Sequence, residues 1–265
     1  MNDLENYFNS NNDRLINKLS HYFEVYERHF SRYRGKEITI LEIGVSQGGS
    51  LQMWKNYFGS KAKIYGIDID SKCKALEEEN IEIFIGSQAD RSFLREVKRQ
   101  IPKIDILIDD GGHSMKQQII SYEELFDHVK EDGVYLCEDL HTSYWLSHGG
   151  GYRRRGTFIE YSKVFIDYLN AFHSEQYSFK VNKFTESVFS IHYYDSIVVV
   201  EKRVRTKPIS LHSGNISFEK QNKLETIPQS KYKIFIVNSI VLGRLVIKLI
   251  NQVLRYFRLR SFIWG

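Results

Sequence analysis

The chain has 265 residues, 42% of them hydrophobic and 14% aromatic, ample for one large core with appendages. Its two cysteines, Cys73 and Cys137, form no spaced framework, which excludes a disulfide-dense secreted domain and suggests a reduced compartment. The net charge of +4 hides an asymmetry: residues 201–265 carry 13 Lys/Arg against 3 Asp/Glu, and residues 1–200 carry 24 against 30. A basic tail this rich in aliphatic and aromatic residues points to an anionic surface rather than to nucleic acid. The polar, acidic opening MNDLENYFNS has neither the basic nor the apolar region of a signal peptide, so a cytoplasmic location is expected.

Leu15, Leu19, Tyr22, Phe23, Tyr26 and Phe30 recur at helical spacing and predict a helix over 12–33. Gly35 then precedes ITILEIG, a short apolar strand, and a helix starts near Ser50 with Leu51, Trp54 and Phe58 on one face. KIYGIDID and IEIFIG read as the second and third strands. RSFLREVKRQ reads as a helix ended before Pro102, and IDILIDD as a buried fourth strand. Met115 to Val129 is expected to be helical and GVYLCED to be a fifth strand. Repeated β-α units with short connections predict a doubly wound, mostly parallel α/β sheet. TFIEYSKVFIDYLNAF follows as a helix, and SVFSIHYY and SIVVVEK pair as an antiparallel hairpin across Asp195.

Residues 202–230, with Pro208 and Pro228, read as a linker. From Lys233 to Arg260 a helical pattern returns, with Arg244, Lys248, Asn251, Arg255 and Arg258 on one polar stripe. Its uncharged run is too short for a bilayer, which needs ~20 residues. Two readings stay open: a peripheral helix on an anionic membrane at the inner face, or a protein contact such as a homo-oligomer.

Chemistry concentrates at the strand ends. LEIGVSQGGS supplies a glycine-rich turn, from Glu42 and Gly44 to Gly48, Gly49 and Ser50, that lets a ligand approach the backbone. It is neither a dinucleotide fingerprint nor a P-loop. Asp68, at the end of the second strand, is placed to accept hydrogen bonds from a ribose diol. Ser87 and Gln88 sit at the same edge, near a nucleobase rim or as helix caps. IDDGGH brings Asp109, Asp110 and His113 to one strand terminus, and CEDLH brings Glu138, Asp139 and His141 to the next. Acids crowded this way need protons or a cation, and oxygen ligands favour Mg²⁺ over Mn²⁺ or Ca²⁺. His113 is the first candidate for a base and His141 the second. The loop HGGGYRRRGT, with Arg153, Arg154 and Arg155, reads as a lid or as a plain solvated loop.

Taken in order, LEIGVSQGGS, YGIDID, GSQAD, IDDGGH and CEDLHTSYW resemble the metal-dependent class I methyltransferases that act on macrolide sugars, and the cephalosporin-hydroxylase-like group with the same layout. The likeness covers roughly residues 20–201 and implies a Rossmann-like sheet of seven strands, the last antiparallel. It implies S-adenosylmethionine over Glu42, Gly44 and Asp68, with Ser87 and Gln88 near the adenine. Ser46, Ser50 and Asp109 complete the expected cofactor set. It further implies Mg²⁺ held by Asp110, Glu138 and Asp139, and His113 as the base. Ser46 stands where many methyltransferases have a second glycine, and the Glu138–Asp139 pair looks more like the cephalosporin group. The expected organisation is a helical segment 1–35, a methyltransferase domain 36–201, a linker 202–230 and a basic amphipathic tail 231–265.

The expected activity is Mg²⁺-assisted O-methylation of a hydroxyl on a sugar, glycosylated natural product or glycolipid. Three alternatives stand beside it. They are an accessory protein of the cephalosporin-hydroxylase kind, an NAD-dependent oxidoreductase, which the absent G-x-G-x-x-G opposes, and a non-catalytic membrane-associated binding module.

Overall fold

Successive residues of the central strands are apolar on both sides, so each strand demands cover on both faces of its sheet. In the computed structural model, which describes residues 2–218, Ile40, Ile64, Ile106, Ile108, Val134 and Leu136 face one core, and Leu41, Ile43, Ile67, Leu107 and Tyr135 face the other. The strands are β1 (Thr39–Ile43), β2 (Lys63–Asp68), β3 (Ile81–Ile85), β4 (Ile104–Asp109), β5 (Val129–Cys137), β6 (Val188–Tyr194) and β7 (Ile197–Lys202). They form one seven-stranded sheet in the order β3-β2-β1-β4-β5-β7-β6. β1 to β5 pair in parallel, and β7 inserts antiparallel between β5 and β6. The class I methyltransferase topology expected from the motifs is therefore present. The chain leaves β1 toward β2 on one side and returns as β4 on the other, so the β1–β4 crevice is the switch point where such sheets bind ligands.

The expected helices appear as α3 (Gly49–Phe58), α4 (Arg91–Gln100) and α5 (Met115–Leu125); the last stops short of the expected Val129, which already opens β5 after a tight turn over Phe126–His128. Asp90 caps α4 by accepting the N–H groups of Ser92 and Phe93. The helix expected over TFIEYSKVFIDYLNAF is divided at Lys163 into α6 (Phe158–Ser162) and α7 (Val164–Asn170), and a short α8 (Lys183–Ser187) precedes β6.

The N-terminal region departs from the single helix 12–33. Helices form instead over α1 (Asp3–Ser10) and α2 (Tyr22–Phe30), with an irregular strap between them. An Asn2–Glu5 capping box starts α1. The Asn11 side chain accepts the Asp13 N–H at 3.1 Å and donates to the Arg14 carbonyl at 2.8 Å, a local pattern that competes with helix. Leu4, Ile16, Phe23, Tyr26 and Phe30 join the α3 side of the core, so residues 2–35 belong to the same compact unit, which runs to Ile209. Beyond β7, Arg205 donates to the carbonyls of Leu169 and Val188, so the first residues of the expected linker pack on this unit. The remainder of that linker after 218, and the helix expected over 233–260, lie outside the described residues. Among the described residues no helix is long and apolar enough to cross a membrane.

Candidate active site

Backbone hydrogen bonds continue past the strands and hold three strand ends together. The Asp110 N–H donates to the Ile43 carbonyl at 2.9 Å, and the Glu138 N–H to the Asp109 carbonyl at 2.9 Å. Gly44, at φ +97°, lies so close to the Asp110 carbonyl that a Cβ there would collide with it. Ser46 adopts φ 49°, the left-handed conformation that glycine takes without strain. Asp139 and His113 also have positive φ, 54° and 53°, which turns their side chains at the sheet's rim.

A cleft of about 410 Å³ opens there. Of the residues expected to bind the cofactor, Gly44, Ser46, Ser50, Asp68, Ser87 and Gln88 line it, as do Asp110, His113 and Asp139. Glu42, Asp109 and Glu138 sit behind its wall and are at most 1% exposed. Asp68 braces the glycine turn: one carboxylate oxygen accepts the N–H groups of Val45 and Ser46, each at 2.9 Å. Gln88 is held by Asp109, Ser121 and the Gly112 N–H, so its amide is committed inside the protein. Ser50 donates to Glu42 at 2.9 Å, and the Ser87 hydroxyl accepts the Ala89 N–H.

The acids sit in two layers. Toward the cleft, Asp110, His113 and Asp139 each offer one atom within 4.8 Å of the others. His113 Nε2 is 3.3 Å from Asp139 and 3.9 Å from Asp110, while its Nδ1 is buried without a hydrogen-bond partner among the described residues. Burial holds the His113 imidazole below its usual range, against the pull of the two carboxylates. His141 lies outside the cleft lining; its Nδ1 is 2.5 Å from the Ser196 hydroxyl and its ring packs on Trp145. Deeper in, the Glu138 carboxylate accepts the Tyr26 hydroxyl at 2.7 Å and the Lys18 ammonium at 2.8 Å. Lys18 also pairs with Asp110 and lies 3.9 Å from Glu42. Burial raises the carboxyls of Glu42 and Asp109 to about 7, and burial followed by the Asp110 charge raises Glu138. Burial disfavours the Lys18 charge, but Asp110, Glu138 and Glu42 outweigh it and hold the ammonium well above its usual range.

Lys18, Tyr22 and Tyr26 are the site residues that sequence reasoning missed. Tyr22 and Tyr26 carried only an apolar periodicity signal, and nothing marked Lys18, which is 92 residues from Asp110 in sequence.

The acid-rich switch point, the glycine turn and the sheet order define the class of the architecture: the chain has the class I methyltransferase fold. No family model matches the chain. The curated proteins it resembles include O-methyltransferases of glycosylated natural products. It is 33% identical over 197 residues to 8-demethyl-8-alpha-L-rhamnosyl tetracenomycin-C 2'-O-methyltransferase of Streptomyces olivaceus, covering 70% of this chain and 51% of that one. It is 35% identical over 193 residues to demethylmacrocin O-methyltransferase of Streptomyces fradiae, covering 69% and 48%. A solved structure of the MycE methyltransferase from the mycinamycin biosynthetic pathway, in complex with Mg, SAH and mycinamycin VI, superposes with a TM-score of 0.68 at 31% identity. That match covers 76% of this chain and 53% of that one. The chain thus spans about half the length of the curated relatives it matches.

Proposed function

We propose that this protein transfers a methyl group from S-adenosylmethionine to a hydroxyl of a sugar or glycosylated compound, with a hard divalent cation at the acid cluster. The observation that carries the reading is the convergence of Asp110, His113 and Asp139 in the cleft beside the β1 glycine turn. The curated relatives, named as a rhamnosyl tetracenomycin-C 2'-O-methyltransferase and a demethylmacrocin O-methyltransferase, and the Mg and SAH of the MycE complex support it.

The residues present fit both groups. Burial raises the pKa values of Glu42, Asp109 and Glu138 next to Asp110 and Asp139, the Lys18 ammonium stands between Asp110 and Glu138, and all-oxygen donors suit Mg²⁺. The cation would be held by Asp110, Glu138 and Asp139. The cofactor would lie along the turn from Gly44 to Ser50, with Asp68 and Ser87 bordering it. When bound, S-adenosylmethionine supplies the electrophilic methyl and a divalent cation supplies positive charge beside the acceptor oxygen.

The chain's own residues do the rest. Depressed basicity keeps His113 neutral near pH 7, so its imidazole can take the hydroxyl proton as the acceptor oxygen attacks the methyl; such help is worth ~10²–10⁴-fold. Asp139, gripped by the Tyr22 hydroxyl at 2.7 Å, stabilises the imidazolium that results. Just past Asp139, Tyr144, Trp145 and Leu146 are 52%, 49% and 80% exposed, an apolar surface suited to the flat face of a glycoside.

Labelled methyl donor incubated with rhamnosylated and macrolide acceptors, with and without Mg²⁺, tests the reading by mass spectrometry. A mass gain of one methyl on the sugar, lost in chelator, is the expected result. Cofactor binding with no transfer to any glycoside would overturn it.

For the basic tail, the Arg244–Arg258 stripe supports a peripheral contact with an anionic membrane surface. Flotation of the full chain and of a 1–230 truncation on phosphatidylserine vesicles tests it; equal flotation rejects it.

A further inference from the structure

The irregular strap between α1 and α2 lays its backbone over the start of α3. A Cβ on Gly49 would collide with the carbonyls of Arg14 and Leu15, so glycine is what lets the strap lie there. The strap is pinned at both ends. Arg14 donates to the Leu76 carbonyl at 2.9 Å, and His21 Nε2 meets the Asp195 carbonyl at 2.9 Å. Between these pins Leu15 and Leu19 are 69% and 44% exposed, yet the Lys18 side chain is only 2% exposed. It threads inward, and its ammonium stands among Asp110, Glu138 and Glu42.

We propose that the Lys18 ammonium is a tethered competitor of the divalent cation: it stands between Asp110 and Glu138, and the cation displaces it on binding. The inference rests on the metal reading above. Three observations carry it. Both oxygens of Glu138 already accept a hydrogen bond, one from Tyr26 and one from Lys18, and the Lys18 ammonium bridges Glu138 to Asp110, the position that a cation shared by the two would take. Asp110 likewise turns one oxygen to Lys18 and the other toward His113. The pins fix the strap's backbone, but the four-carbon stem of lysine can swing into the cleft that Lys18 itself lines, so the exchange needs no refolding.

The competition has a chemical use. Three carboxylates gathered here without a cation, two of them fully buried, are unfavourable, and one ammonium relieves that repulsion while the metal is absent. It also sets a threshold, because the cation must replace a favourable buried contact rather than enter an open acid cage.

The test measures Mn²⁺ affinity by electron paramagnetic resonance, without substrate, for the wild type, Lys18→Met and Asp110→Asn. We expect Lys18→Met to bind Mn²⁺ at least ~10-fold tighter than wild type and Asp110→Asn to lose binding. A merely structural role for Lys18 would loosen the site and weaken affinity, so the sign separates the two. Unchanged or weaker binding by a folded Lys18→Met protein overturns the competition and leaves the metal reading standing. If Asp110→Asn binds like wild type, or if neither wild type nor Lys18→Met binds, the metal reading fails and the competition with it. Should Lys18→Met not fold, reductive methylation of the wild type decides. Lys18 labelling relative to exposed Lys61 should rise at least fivefold on adding Mn²⁺, and no rise overturns the proposal.

Discussion

The Tyr22 hydroxyl donates to the Asp139 carboxylate at 2.7 Å across 117 residues of sequence, and the Asp139 N–H returns toward the same hydroxyl at 3.3 Å. An element outside the repeating β-α units therefore fixes an acid of the proposed catalytic rim. Tyr22→Phe keeps the ring in its buried place and removes only the donor. Losing such a support to a metal ligand typically lowers metal affinity or turnover ~10–100-fold, and turnover with its Mg²⁺ dependence is the measurement. The thermal midpoint should move little, because the packing of α2 is intact.

Tyr26 makes the parallel contact one layer deeper, on fully buried Glu138. Here the effect is on stability. Tyr26→Phe leaves a buried carboxylate short of one donor, which should cost about 1–3 kcal/mol in urea unfolding. A variant as stable as wild type would show that the bond contributes nothing net.

The acid cluster makes stability fall with rising pH. Glu42 and Asp109 titrate at about 7 in the folded protein against ordinary values of 4.5 and 3.8. The folded state thus keeps protons that the unfolded chain has released. Their contribution is complete below about pH 4 and is lost as pH rises through about 7. Thermal unfolding without divalent ions should show a midpoint that declines from about pH 5 to pH 8, and Glu42→Gln should flatten the decline.

His113→Gln tests the base. Transfer should drop ~10²–10⁴-fold while S-adenosylmethionine affinity, measured by calorimetry, stays within about threefold. Because the imidazole titrates below its usual range, wild-type turnover should rise with pH on the acid side and level off before neutrality. His141→Gln, bonded to Ser196 outside the cleft lining, should keep most of the activity.

The β1 turn separates two uses of left-handed backbone. At Gly44 an added Cβ meets the Asp110 carbonyl, which cannot yield without breaking the β1–β4 junction, so Gly44→Ala should destabilise by at least 2 kcal/mol, roughly the range of severe backbone strain. Ser46 already bears the cost of a positive φ, so Ser46→Gly should be neutral or stabilising by up to about 1 kcal/mol. Denaturant midpoints of the two variants are the check.

Local pattern was enough for much of this protein. Apolar runs such as IDILIDD and GVYLCED marked strands that need two covered faces, and their order fixed a parallel sheet whose C-terminal edge gathers Asp68, Asp110 and Asp139. That step needs only the periodicity of side chains and the one-handedness of β-α-β connections. The sequence could not show depth. Asp109 and Asp110 are neighbours, yet one is sealed in the core and the other borders the cleft. Alternation along an extended strand sends adjacent side chains to opposite sides, and only the packing of α5 and the strap settles which side is wet.

Periodicity also misled where local hydrogen bonding competed with it. The spacing from Leu15 to Phe30 suits one helix, but Asn11 bonds its own neighbourhood and the chain runs irregular until Tyr22. What the sequence determined is therefore the fold and the acid-lined edge, since both follow from short-range pattern repeated along the chain. What only the tertiary structure decided is the company those acids keep: Lys18, Tyr22 and Tyr26 reach them across more than ninety residues. A charge or hydroxyl brought from such a distance leaves no spacing to read, because its place depends on how the whole chain closes around the core.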